Sequence, residues 1–268
     1  MSLKLAIGGA AGRMGRALCR AILAGGDLAL VGGCEREEGQ DLGRLGGAEP
    51  LGLLTTANPA LAARDAEVWI DFSTPAALAA ALPALPAQTR AVVIGVTGID
   101  AAGEAAIAEV ARTRAVVRSG NFSLGVNLLL GLAQQAASRL GPEWDIEILE
   151  AHHRRKLDSP SGTALMLGEA VAAGRGAPLE ALRLPPRDGQ EGVRPEGGVG
   201  FAVLRGGGVI GEHAVMFAAE REILTLSHQA LDRGLFADGA LAAARWAASQ
   251  PAGLYSMQDV LGLAKAAK

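Results

Sequence analysis

Two of the four histidines in this 268-residue chain are adjacent, His152 and His153, and an ammonium follows them at Lys156. This pattern suits proton transfer beside an anion: a histidine titrates near neutrality, and a neighbouring lysine can hold or polarise a negatively charged ligand. Lysine is scarce in the chain. There are only four, of which Lys4, Lys265 and Lys268 lie near the ends, against 21 arginines, so Lys156 is the sole interior one. A sequence that otherwise chooses arginine keeps lysine where a compact ammonium, able to give up a proton, cannot be replaced by a guanidinium. Immediately downstream, Ser159-Pro160-Ser161-Gly162-Thr163 precedes an amphipathic run at 164–173. That order puts the Gly162 and Thr163 amides at a helix N-terminus, as a cradle for a carboxylate. Spacing alone also accommodates a solvated basic loop. A metal is not expected, because adjacent histidines are poorly arranged for one zinc and the other partners of a tetrahedral site are not apparent.

A second kind of chemistry is written at the start. Gly9-Ala10-Ala11-Gly12-Arg13-Met14-Gly15 follows a strand-like run and opens a helix-like one. It puts glycines where a backbone must turn tightly and let a pyrophosphate approach, with the helix N-terminal amides facing the phosphates. The spacing is GxxGxxG rather than GxGxxG, so the turn alone is a weak signal. Glu35 stands 20 residues past Gly15, where a carboxylate can accept from adenosine ribose hydroxyls, and Arg36 beside it can pair with a 2′-phosphate. The run Glu35-Arg36-Glu37-Glu38 also reads as a charged solvated loop. Three further strand ends, Asp71-Phe72-Ser73-Thr74-Pro75, Gly95-Val96-Thr97-Gly98 and Ser119-Gly120-Asn121-Phe122, emerge where open α/β sheets bind ligands, and would surround a ribose and a nicotinamide. Each is separately explicable as turn chemistry.

These groups must be positioned by a scaffold. Up to about residue 123, short apolar runs at Leu3–Gly8, Leu28–Cys34, 67–73, 91–96 and Ala115–Arg118 alternate with helical stretches at Arg13–Ala24, 76–84 and 100–113. This is the pattern of a parallel, doubly wound sheet covered by crossover helices. Beyond Gly125 the character changes to a long helix near 126–140, a strand at 145–150, and a Gly-rich region from 197 to about 230 whose short runs look like antiparallel strands. A second, α+β domain is expected there. Helical periodicity returns at 236–249 and 253–263.

Composition limits the partners. Half the residues are hydrophobic, enough for a full core, and the net charge of −3 supplies no broad basic surface, so nucleic acid and anionic membranes are not expected. The apolar runs are too short to span a bilayer, and the N-terminus lacks the layout of a secretory signal. Cys19 and Cys34 are too few for a disulfide framework and fit a reducing compartment.

The stretch from Glu147 to Ala164 resembles, position by position, the signature E-[IV]-x-E-x-H-x-x-x-K-x-D-x-P-S-G-T-A of the 4-hydroxy-tetrahydrodipicolinate reductases, also called dihydrodipicolinate reductases. The similarity extends to Gly9–Gly15, Glu35-Arg36, Gly95–Gly98, 121–127, Ile210-Gly211-Glu212-His213 and the helix at 236–246. What the resemblance implies is an α/β protein: an N-terminal Rossmann domain with a parallel sheet, residues 1–123 and 237–268, and a central α+β domain with a mixed sheet, residues 124–236, which binds substrate and builds a homotetramer. It further implies a cytoplasmic enzyme of lysine and diaminopimelate biosynthesis, using NADH, NADPH or both on a cyclic dicarboxylate. By the same resemblance His152 is the general acid, and His153 and Lys156 contact the substrate, with Lys156 as a possible second proton donor. Gly162 and Thr163 would bind a substrate carboxylate. Cofactor contacts fall to Gly9, Ala10, Ala11, Gly12, Arg13, Met14, Glu35, Arg36, Gly95, Val96, Thr97, Ser119, Gly120, Asn121 and Phe122. Val96 and Thr74 depart from many relatives, which have Thr and Arg there; the departures touch cofactor preference and affinity.

The reaction so implied is hydride delivery into a conjugated imine after domain closure, with His152 supplying the balancing proton and water lost. Another two-domain amino-acid-pathway dehydrogenase would share the glycines but not the His-His-x-x-Lys followed by Ser-Gly-Thr. A redox-sensing regulator that binds NAD(H) and DNA would need a basic DNA-binding stretch, which is not seen.

Overall fold

The structure, a computed structural model, describes residues 2–190 and 192–263. Met1, Glu191 and residues 264–268, with Lys265 and Lys268 among them, lie outside the described residues. The chain divides into two compact units, one running to Leu124 and resuming at Gly234, the other comprising Gly125–Arg233.

The first unit begins β1 (Leu3–Gly8), α1 (Arg13–Ala24), β2 (Leu28–Cys34), with short helices α2 (Leu42–Leu45) and α3 (Pro59–Ala62) before β3 (Val68–Asp71). It continues with α4 (Pro75–Ala81), extended by a 3₁₀ turn at Leu82–Ala84, then β4 (Ala91–Ile94), α5 (Ala101–Val110) and β5 (Ala115–Arg118). Side chains of β1 alternate between two cores. Leu5 and Ile7 pack with Leu18, Ile22, Ala240 and Ala244 on one face, while Ala6 joins Trp69, Leu78 and Ile107 on the other. Strands buried on both faces are near-continuous apolar runs, broken here only at the last residues of β3 and β5, Asp71 and Arg118, which is why β3, β4 and β5 read so plainly in the sequence.

The second unit comprises α6 (Leu124–Arg139, whose first residue is the last of the first unit), β6 (Asp145–His152), α7 (Gly162–Gly174), α8 (Leu179–Leu182), β7 (Val199–Arg205), β8 (Glu212–Ala218) and β9 (Ile223–Gln229). The chain then returns to the first unit with α9 (Leu235–Ala247), β10 (Gly253–Tyr255) and α10 (Met257–Val260).

The first unit's sheet is parallel throughout, in the order β10-β5-β4-β3-β1-β2, so the strand order reverses between β1 and β3. Ligands of open α/β sheets bind at such a reversal, beyond the carboxyl ends of the strands. The second sheet is mixed, in the order β7-β6-β8-β9, with Ile146, Ile148, Val215 and Phe217 packed under α6 and α7. Both sheets are of the expected class.

Several elements differ from the sequence reading. The stretch expected to be helical at 253–263 opens instead with β10, whose residues pair with Ala115–Val117 of β5; the helix starts only at Met257, behind a Ser256–Asp259 capping box. A three-residue strand is too short to show a period of two. Of the runs expected to be antiparallel, β7 lies parallel to β6, a pairing made possible by the α7 crossover. Strands β3 and β4 stop before 73 and 96, where the chain turns at Phe72-Ser73 and Gly95-Val96. β6 runs two residues further than 150, to His152. The helices α2 and α3 are single turns without periodicity, so only their caps, Asp41 and Asn58, mark them.

Candidate active site

In the first unit the glycine-rich turn lies at the end of β1. Gly9 has φ +74°, and a Cβ there would press on Ser73 beyond β3; a Cβ on Gly15 would strike the Gly9 and Ala10 carbonyls. Gly12 begins α1 without any side-chain cap, is exposed, and a Cβ on it would meet only the Gly9 carbonyl. The backbone therefore offers an uncapped, positively polarised helix end with room for a phosphate group to approach, the cradle a dinucleotide pyrophosphate requires. Ala10 is buried, Ala11 and Met14 half-buried, and Arg13 exposed.

Glu35 follows β2, and its carboxylate accepts from the Ala11 amide at 3.1 Å and from the Arg36 amide at 2.9 Å. It is thus held against the turn instead of trailing in solvent, while Arg36 is exposed. At the other strand ends, Gly95 lies so close to Phe72 that a Cβ would enter its ring, and Phe72 meets Phe122 edge to face at 5.3 Å. Val96 and Phe122 are buried, whereas Thr97 and Gly120 are exposed and Asn121 and Ser119 half-buried. Arg118 donates to the Val96 carbonyl at 3.1 Å, and Ser119 donates to the Asn121 carbonyl at 2.7 Å, fixing both turns. Thr74 caps α4 by accepting from the Ala77 amide at 3.3 Å.

In the second unit the chemistry gathers on one face of β6. Alternation places Glu150 and His152 on the same buried side as Ile146 and Ile148. The Glu150 carboxylate meets His152 Nδ1 at 2.5 Å, accepts from the Ser161 amide at 2.9 Å, and accepts two bonds at 2.8 Å from Arg205 at the end of β7. Arg205 also donates to the Asp158 carbonyl at 2.8 Å, so one guanidinium ties the carboxylate to the loop that carries Lys156. Lys156 Nζ pairs with Asp158 at 2.9 Å. His153 is half-buried with its Nε2 at 3.4 Å from Arg233. Ser161 caps α7 by accepting from the Ala164 amide at 3.2 Å, so Gly162 and Thr163 do form the first turn of a helix; Gly162 is exposed.

His213, on β8 directly opposite Glu150, packs its ring edge to face on His152 at 5.1 Å and reaches Ser161 Oγ at 3.2 Å. Burial lowers the His152 pKa despite the opposing pull of Glu150. Burial pushes the Glu150 carboxyl up, yet the bonds from Arg205, His152 and the Ser161 amide outweigh it and hold the group below its usual value. For His213, burial and the neighbouring His152 push the pKa down to about 4. The unfolded histidine takes up its proton near ~6.5 and the native one only near about 4, so stability falls as pH drops through that window. Between pH 7 and 4.5 the loss from this residue should reach ~2 kcal/mol. Denaturant unfolding at the two pH values should show a larger loss for wild type than for His213→Gln; equal losses would rule out a neutral, buried His213.

Sequence reasoning singled out His152, His153, Lys156, Gly162 and Thr163, which all lie in this unit, on β6, the loop after it and the start of α7. It gave no role to Glu150, Arg205 or His213, although Glu150 and His213 fall within the stretches of family resemblance. Glu150 had a signal, a carboxylate two residues ahead of a histidine on one strand. His213 had only its place in the resembling stretch Ile210-Gly211-Glu212-His213, and Arg205, on a strand far along the chain, had none.

A parallel sheet with a phosphate cradle at its reversal point, together with an acid–base cluster on a second sheet, is the equipment of a dinucleotide-dependent oxidoreductase, and the molecule is of that class. The chain belongs to the dihydrodipicolinate reductase family: the model of that family's N-terminus matches residues 3–122 and the model of its C-terminus residues 125–261. It is 52% identical over 269 residues to a 4-hydroxy-tetrahydrodipicolinate reductase of Parvibaculum lavamentivorans, covering 97% of this chain and 98% of the relative. It is 52% identical over 267 residues to the enzyme of that name from Rhizobium meliloti, with 97% and 98% covered. Among solved structures, a dipicolinate-bound dihydrodipicolinate reductase from Paenisporosarcina sp. TG-14 shares the fold with a TM-score of 0.75 at 23% identity, covering 97% of this chain and 99% of that one.

Proposed function

We propose that this protein reduces 4-hydroxy-tetrahydrodipicolinate to tetrahydrodipicolinate with NADH or NADPH, losing water, in lysine and diaminopimelate biosynthesis. The observation that carries this reading is the stretch from Glu147 to Ala164. It folds so that a buried Glu150–His152 pair, the Lys156 ammonium and an uncrowded helix start at Gly162 belong to one strand–loop–helix segment, in a chain whose relatives bear that enzyme's name. The dinucleotide would be held by Gly9 to Met14, Glu35 and Arg36, with Gly95 to Thr97 and Ser119 to Phe122 about the nicotinamide; when bound, it supplies a hydride. The rest falls to the chain's own groups. His152 holds a proton at Nε2 and passes it to the substrate. Lys156, His153 and the Gly162 and Thr163 amides take the substrate's carboxylates, a charge-assisted arrangement that also orients the ring. Oxidation of NADH or NADPH, followed in the spectrophotometer with enzymatically generated 4-hydroxy-tetrahydrodipicolinate, tests the assignment; no oxidation by folded protein would overturn it.

Glu35 accepts from ribose hydroxyls and repels a phosphate, whereas Arg36 attracts one, so both cofactors should serve. Because Arg36 is exposed, its contact is screened, and Arg36→Ala should weaken NADPH roughly tenfold or more while NADH stays within a few-fold. Equal losses of Kd for the two would show that Arg36 does not read the 2′-phosphate.

A homotetramer built through the second unit is supported by the outer face of its sheet, where Leu149 is 37%, Leu204 66% and Ile223 64% exposed. Light scattering should give four copies, and Leu204→Asp should lower that number. The cytoplasm is supported by two unbridged cysteines, and cell fractionation tests it.

A further inference from the structure

We infer that Glu150, locked by Arg205, is the positioning residue of the proton donor: it holds Nδ1–H of His152 and so leaves Nε2 as the nitrogen that carries and releases the proton. The inference rests on His152 being the acid. Glu150 touches His152 only at Nδ1, at 2.5 Å, and its remaining acceptor sites are taken by Arg205 and the Ser161 amide. A carboxylate saturated in this way cannot rotate to another partner, and the guanidinium keeps it ionised so that it does not take the proton itself. Nε2 points toward Gly211, where a Cβ would come within 3.1 Å of it, so no side chain at that position crowds the reactive nitrogen.

In the reacting state both ring nitrogens bear protons. The Nε2–H bond breaks as the proton passes to the substrate, and the ring is left neutral with its hydrogen on Nδ1, bonded to Glu150. The anion stabilises the imidazolium before transfer and fixes the tautomer after it. Among the described residues, the groups acting on His152 are Glu150 on its own strand, Lys156 on the following loop, Arg205 on β7 and His213 on β8, with Ser161 before α7 bonded to Glu150 and His213; of these Glu150 alone is an anion. Removing its charge therefore leaves the imidazolium among cations and a neutral ring.

The test pairs kinetics with spectroscopy on the full-length protein. Acid catalysis by an imidazolium is lost as pH rises through its pKa, and Glu150→Gln should move that fall in kcat at least about one pH unit lower and reduce kcat by about a hundredfold. KM for the dinucleotide should stay within twofold. Glu150→Asp, which restores the charge, should return the pH profile toward wild type. A merely structural role would lower the amount of active protein without moving the profile. In wild type, nitrogen-detected NMR of the four histidines, with His152 assigned by its loss in His152→Gln, should show neutral His152 protonated on Nδ1; this reading needs no variant of Glu150 to fold. An unmoved pH profile in Glu150→Gln, or His152 protonated on Nε2 when neutral, overturns the inference. Full turnover in His152→Gln would instead overturn the assignment of the acid, so the two failures are distinguishable.

Discussion

His152→Gln lowers kcat by about 10² or more while leaving dinucleotide affinity nearly unchanged, because a positioned acid is worth ~10²–10⁴ in rate. Glutamine keeps roughly the size and a hydrogen-bonding end, so the bond to Glu150 can be made by its amide. What it cannot do is release a proton at the nitrogen beside Gly211. The cofactor cradle around Gly9 and Gly12 is built by the end of β1 and the start of α1, in the other unit. Steady-state turnover alongside a dinucleotide Kd from fluorescence quenching separates the two effects. Unaltered turnover in folded, purified protein would remove His152 from the chemistry.

Lys156→Ala should lower kcat/KM by about a hundredfold, the equivalent of about 2.7 kcal/mol, most of it through KM. The ammonium is one-fifth exposed, and its present partner is the Asp158 carboxylate at 2.9 Å. Asp158 is itself drawn to lower pKa by that contact. A substrate carboxylate therefore replaces one anion with another at the same ammonium, and truncating the lysine leaves the incoming anion without a partner. Part of the loss should appear in kcat, since a fixed cation also steadies charge that shifts in the transition state. Kinetics at wild-type values would reduce Lys156 to an ordinary surface lysine.

The sequence made the parallel unit legible because its signals are local. Buried strand β4 is an unbroken apolar run, β3 and β5 are apolar up to their last residues, Asp71 and Arg118, and the turn from Gly9 to Gly15 needs glycine at positions where a Cβ would strike the backbone or Ser73. β10 was hidden for a physical reason: three residues hold no period, and what makes them a strand is the free edge of β5, a partner well over a hundred residues upstream. The candidate site divides along the same line. His152, His153, Lys156, Gly162 and Thr163 fall within one short segment and could be read together. Arg205 reaches the Glu150 carboxylate, and His213 reaches Ser161, only because β7 and β8 flank β6 on either side. Nothing about the neighbours of Arg205 says so, and the stretch Ile210-Gly211-Glu212-His213 marks the family without saying which side chain His213 meets.

The late return of the chain to its first unit bears on how the protein is made. A ribosome delivers β1 to β5 first, then all of residues 125–233, and only afterwards α9 and β10. Until then β5 is an unpaired edge and Leu5, Ile7 and Leu18 lack the cover of Ala240, Leu241 and Ala244. The second unit, by contrast, is continuous in sequence and has all four of its strands once Gln229 has emerged. The nascent chain can thus finish its middle before its beginning, and it carries an exposed sheet edge through the interval, the stage at which a chaperone would find most to hold.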